Sequence, residues 1–201
     1  MIDDKEKNDQ LVKAKTSRLQ LRDTNIVSRG LSDLALLDVE GAKIADEDSR
    51  QSQARRWIDI GFKQYFKGEY DDAIESYSKA IELTPNNVNG YLGRGLAYEE
   101  KDQYIKAIED YGKVISLEPN NASLYTGRGH VYEEIGQYDK AIDDYKRAIA
   151  LNPNDAQPYY YRGLAYEMKG NTVSAISDFQ KACDLGSEIG CENLQRVLRQ
   201  K

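Results

Sequence analysis

Histidine, cysteine, methionine and tryptophan are scarce in this sequence: one His, two Cys, two Met and one Trp stand among 201 residues. So few bases, nucleophiles and soft ligands exclude most catalytic constellations, and no glycine-rich phosphate loop is present. A zinc site is not expected, because His130 lies more than a repeat away from Cys183 and Cys191, and two thiolates alone leave tetrahedral coordination incomplete. No metal, cofactor or enzymatic activity is read from these residues. Long apolar runs are also missing, and nothing approaches the roughly twenty residues that a membrane span requires. The opening MIDDKEKNDQ has neither the apolar stretch nor the small-residue cleavage site of a secretory signal. Cytoplasm is the expected compartment, with the periplasm as the alternative if a leader had been removed. A basic surplus is lacking too: the net charge is −6 with acids spread along the chain, which argues against a nucleic-acid partner.

What the sequence does contain is a repeat. At a period of 34 residues, four segments fall into register without insertion or deletion: 54–87, 88–121, 122–155 and 156–189. Aligned columns hold Trp57, Tyr91, Tyr125 and Tyr159; Gly61, Gly95, Gly129 and Gly163; Ala73, Ala107, Ala141 and Ala175; and Tyr77, Tyr111, Tyr145 and Phe179. Pro85, Pro119 and Pro153 close the first three units. An aromatic followed four residues later by Gly marks one face of a first helix, and the glycine predicts close approach of a neighbouring helix backbone. The recurring Ala predicts the same from a second helix, so that small residues meet at the crossing. Gly68, Gly136 and Gly170, with Asp102 in the second unit, fit a left-handed turn between the two helices. The prolines stop the second helix.

This period and pattern resemble the tetratricopeptide repeat family over about two thirds of the chain. The resemblance implies an all-α fold: a right-handed superhelical solenoid of four helix-turn-helix repeats over 54–189, with a capping helix over 187–201. Residues 1–53 form an N-terminal extension. Val27, Leu31, Leu34 and Ala35 fall on one helical face there, and two readings stay open, a mostly helical extension that covers the first repeat or a largely disordered tail.

A second regularity lies inside the repeat. Arg94, Arg128 and Arg162 precede the glycine, and the second helices of the same units carry Asp110, Asp144 and Asp178; the first unit has Ile60 and Ser76 instead. Two residue types that appear and vanish together, placed symmetrically about a hairpin turn, predict ion pairs across antiparallel helices. The alternative is an arginine row that grips phosphate or carboxylate. At the C-terminal end, Leu194, Val197 and Leu198 with Cys191 fall on one helical face. The run KACDLGSEIGC resembles cysteine-rich relatives of the family, which implies a bridge between Cys183 and Cys191. A reducing compartment would keep the two apart, as buried packing residues, and both readings remain open.

The resemblance further implies that the first helices line a concave groove through the second, fifth, sixth, ninth, twelfth and thirteenth residues of each unit. The candidate binding residues are then Ile58, Phe62, Tyr65 and Phe66 in the first unit, and Leu92, Leu96 and Glu99 in the second. The third contributes Thr126, His130 and Glu133, and the fourth Tyr160, Tyr161, Leu164 and Glu167. This groove is apolar toward both ends and acidic in its middle, which suits a protein or peptide with a basic centre and apolar flanks. It lacks the Lys, Asn and Arg set with which family chaperone adaptors hold a C-terminal carboxylate. A solvated acidic face with no specific partner is the bland alternative. Lys13, Lys15, Arg18 and Arg22 among apolar residues also make the N-terminal segment a candidate occupant, and with it self-association. The function expected is a protein-interaction scaffold or adaptor, with a regulatory subunit docked on an enzyme and an envelope or secretion assembly factor as rivals.

Overall fold

A computed structural model describes residues 43–199. The readings made for residues 1–42, including the apolar face of Val27 to Ala35 and the basic segment offered as an occupant, lie outside the described residues. The chain divides into two units, Met1–Arg50 and Gln51–Lys201. Of the first, residues 43–50 are helical and exposed, and Arg50 pairs with Asp46 at 2.6 Å.

The second unit is built from helices alone among the described residues: α1 (51–66), α2 (Tyr70–Leu83), α3 (Val88–Glu99), α4 (Tyr104–Leu117), α5 (Ala122–Glu134), α6 (Tyr138–Leu151), α7 (Ala156–Met168), α8 (Thr172–Asp184) and α9 (Glu188–Leu198). From α2 onward, each helix packs chiefly on its neighbours in sequence. This is the contact pattern of a helical solenoid. The second helices are amphipathic: α2 buries Ala73, Ser76, Tyr77, Ala80 and Ile81, a stripe at three- and four-residue spacing. Among the described residues small clusters therefore replace one central core, and each joins adjacent helices. Ala141, Ile142 and Tyr145 with Ala165, for example, belong to one of them.

Two kinds of turn alternate. Within a hairpin the chain reverses through Gly68, Gly136 and Gly170 at φ 78°, 71° and 75°, and Asp102 takes the same place at φ 56°. Between hairpins a polar side chain caps the next helix. Asn87, Asn121 and Asp155 accept from the backbone N–H of Gly90, Ser123 and Gln157 at 3.0, 3.2 and 3.0 Å. Ser187 does this for α9, where the proline is missing, accepting from Gly190 N–H at 3.1 Å. The framework tyrosines close the same turns: Tyr125 Oη donates to the Pro119 carbonyl at 3.0 Å, and Tyr91 and Tyr159 reach Pro85 and Pro153 at 3.3 Å.

One expectation is corrected here. The signature glycines of the first helices chiefly face an aromatic ring, and small does not simply meet small. A methyl group placed on Gly61, Gly129 or Gly163 would lie 2.9, 2.6 or 2.7 Å from the ring of Tyr77, Tyr145 or Phe179. The aromatic column of the second helix thus fills the space that the glycine leaves. Gly95 differs, since its nearest neighbour would be the Asp110 Cβ at 3.4 Å.

At the C-terminal end Leu194 and Val197 are buried against Phe179 and Ala175. Leu198 does not join them and is 50% exposed. It occupies the column of Phe62, Leu96, His130 and Leu164, which turns toward the face of the first helices. Cys183 and Cys191 are joined by a disulfide with Cα atoms 4.6 Å apart, linking α8 to the first turn of α9.

Candidate functional site

The three arginines of the repeat lie on the aspartates opposite them. Arg94 Nε and Nη2 donate to Asp110 Oδ2 and Oδ1, both at 2.8 Å, and Arg128 with Asp144 and Arg162 with Asp178 repeat this fork at 2.8 and 2.7 Å. The aspartates are buried, and the Nε/Nη2 edge of each planar guanidinium matches the two carboxylate oxygens. Each arginine also lies between two framework tyrosines, as Arg128 does between Tyr125 and Tyr132 with both ring centroids at 5.9 Å. In the first unit, where the pair is absent, Ser76 Oγ donates to Gln64 Oε1 at 2.7 Å. Each of these arginines is thus committed to an aspartate of its own repeat and lies beside two tyrosines, and Arg94 also donates through Nη1 to Ser78 Oγ of the preceding repeat at 3.0 Å.

The candidate binding residues separate into three groups along the first helices. On α1, Phe62 and Phe66 are 57% and 70% exposed, with ring centroids 4.6 Å apart. Ile58 and Tyr65 are half-buried against Ala73, Tyr77 and Ala97. In the middle, Leu92 is taken up by packing against core clusters on both of its sides, whereas Leu96 stays partly exposed. Thr126 does not line the surface. It is buried, and its Oγ1 donates to the Ala122 carbonyl at 3.3 Å, because a short hydroxyl can satisfy itself one turn back on its own helix.

The carboxylates of the middle group are held by neutral hydroxyls. Tyr111 Oη donates to Glu99 Oε2 at 2.6 Å and Tyr145 Oη to Glu133 Oε2 at 2.8 Å, the same spacing in successive repeats. Burial pushes both tyrosines, and Glu133, above their ordinary pKa values. Glu100 accepts from Tyr65 at 3.1 Å and from Tyr70 at 3.3 Å. His130 stands between Glu99 and Glu134, its Nδ1 3.8 Å from one and its Nε2 3.6 Å from the other. The Glu99 carboxylate raises the imidazole pKa, partial burial opposes this, and Glu134 and Glu133 add to the rise. Among the described residues no lysine or arginine pairs with Glu99, Glu100, Glu133 or Glu134.

The third group is already partly engaged. Tyr161 stacks on Tyr145 at 5.9 Å and meets His130 at 5.5 Å, while Tyr160 leans on Tyr161 and on Phe179. Leu164 packs into the last core cluster. Glu167 is gripped by Arg196 of α9 through Nη1 and Nη2 at 2.7 and 2.6 Å. Phe179 stands where Tyr111 and Tyr145 stand in their repeats, so Glu167 lacks the hydroxyl partner, and Arg196 replaces it. Sequence reasoning missed this, although the columns carried the signal: Glu99 and Glu133 twelve residues before a tyrosine, Glu167 twelve before a phenylalanine.

A family profile described as TPR repeat matches residues 64–102, 100–136 and 134–170, together more than half of the chain. No curated protein sequence matches it. Among solved structures, a crystal structure of MamA is 30% identical, with 73% of this chain and 87% of that one covered and a TM-score of 0.64. PilF from Pseudomonas aeruginosa (18% identity, 76% and 70% covered, TM-score 0.66) shares the fold. So does the first TPR domain of RPAP3, solved with the Hsp90 peptide SRMEEVD (23% identity, 60% and 95% covered, TM-score 0.57). Among the described residues no helix is long and apolar enough to cross a membrane. This chain belongs to the tetratricopeptide repeat family and is a helical scaffold for protein interaction.

Proposed function

We propose that the chain holds a segment of another protein along the face of its first helices, and that this segment carries a basic centre between apolar flanks. The observation that carries this reading is the set Glu99, Glu100, Glu133 and Glu134, whose partners are tyrosine hydroxyls and one histidine, placed between exposed Phe62 and Phe66 on one side and Tyr160 and Tyr161 on the other. A carboxylate held by neutral hydroxyls keeps its negative charge available to a cation, and this applies most directly to Glu100, whereas Glu99 and Glu134 also face His130 and burial favours the neutral form of Glu133. An acidic peptide such as the one bound by RPAP3 would meet this charge unfavourably, and the columns that would clamp its terminal carboxylate hold Arg55, Ile58, Asp59 and Phe62 in the first unit and Asn89, Leu92, Gly93 and Leu96 in the second, which is not the Lys, Asn and Arg set of a clamp. Affinity capture from native lysate, with Phe62→Ser and Tyr160→Ser variants as controls, identifies the partner. Retention by both variants of all that the parent chain retains would contradict the reading.

The Cys183–Cys191 bridge favours a second reading, an envelope or secretion assembly factor working where disulfides persist, over a cytoplasmic adaptor. Cell fractionation, with thiol trapping of the two cysteines, separates the two.

A further inference from the structure

Phe62 and Phe66 form a bare aromatic shelf on α1. Tyr65 continues it, with its ring 5.5 Å from that of Phe66 and its hydroxyl 3.1 Å from Glu100. The shelf therefore leads directly into a recess of about 360 Å³ lined by Leu96, Glu99, Glu100, Asp102, Tyr104, His130 and Glu134. Toward the C-terminal end the arrangement differs: Arg196 neutralises Glu167, and the tyrosines lean on one another and on Phe179.

We propose that the shelf and the recess are one docking surface for a partner protein's segment in which an aliphatic or aromatic residue is followed within a few positions by lysine or arginine. The apolar side chain lies on Phe62 and Phe66, and the cation enters among Glu99, Glu100 and Glu134. This rests on the scaffold reading and narrows it to two subsites at one end of the array. Charge complementarity selects this occupant. An acidic segment would be repelled, and a wholly apolar one would desolvate carboxylates without giving them a partner. A basic side chain supplies that partner, and the neighbouring apolar contact supplies the burial that a surface ion pair alone lacks.

The two subsites predict different physics, which makes them separable. Random peptides displayed against the full chain should enrich sequences with Lys or Arg close to Leu, Ile, Met or Phe. Fluorescence anisotropy of the enriched peptides would then be measured against the parent chain, Phe66→Ser and Glu100→Gln, at about 0.05 M and about 0.5 M salt. Phe66→Ser should weaken binding about tenfold at both salts, and Glu100→Gln should weaken it several-fold at low salt and little at high salt. Both positions are exposed, so the variants keep the fold, and unchanged melting curves would verify this. Peptides without a basic residue, or binding indifferent to both substitutions, would overturn this proposal and leave the scaffold reading standing; a library that yields no binder would overturn both. A concentration-dependent dimer abolished by Phe66→Ser would assign the shelf to a second copy. Intramolecular crosslinks from Lys13 or Lys15 to Glu100 would assign it to the chain's own N-terminal segment, and either result would overturn the proposal.

Discussion

Arg94, Arg128 and Arg162 each reach sixteen residues along the chain to a buried aspartate, and the cost of removing one side of such a pair exceeds what the pair contributes. Arg128→Met should lower stability by about 2 to 4 kcal/mol, because Asp144 is left buried and unpaired. The double change Arg128→Met with Asp144→Leu should recover most of this loss in denaturant titration, and equal losses in single and double variants would dismiss the pair. His130 is a second residue with a definite expectation. Its pKa is raised, chiefly by Glu99, so its contribution to stability is fully present below the unfolded value of about 6.5 and is lost as pH rises through the folded value. NMR titration should place the imidazole above 6.5, and His130→Gln should destabilise at about pH 5.5 and hardly at all at about pH 8.5. A pKa at or below the reference would mean that burial outweighs the carboxylates.

At the scale of helices, the packing of glycine on an aromatic ring distinguishes positions that look equivalent in the sequence. Gly129→Ala would put a methyl group 2.6 Å from the Tyr145 ring, so overpacking should outweigh the better helix propensity of alanine and cost about 1 to 3 kcal/mol. Gly95→Ala meets its nearest neighbour at 3.4 Å and should be close to neutral, and thermal melts of the two variants check the contrast. The periodic part of the fold was legible because each column repeats one physical requirement, such as the positive φ at Gly68, Asp102, Gly136 and Gly170. The ion pairs were legible because Ile60 and Ser76 replace both partners at once. Burial of Thr126 was not, since its column also holds Ile58, Leu92 and Tyr160, and only the local backbone bond to Ala122 lets a hydroxyl go inside. Nor was the linkage of Glu99 to Tyr111, which crosses from a first helix to a second and appears only when two columns are read together.

For the whole molecule, the repeats share a framework while their exposed residues differ, and this difference gives the face of the first helices its polarity. The end near α1 presents bare rings beside carboxylates that, among the described residues, have no basic side chain apart from His130, and the end near α9 has its acid satisfied by Arg196 and its turn fastened by a disulfide. A ligand should consequently be read in one direction along the array. Amide hydrogen exchange of the full chain, with and without a saturating enriched peptide, tests this central claim most directly. Added protection should concentrate on α1, α3 and α5 around Phe66, Glu100 and His130. Protection confined to the outer positions of the second helices, such as Ile105, Lys106 and Lys140, would contradict it.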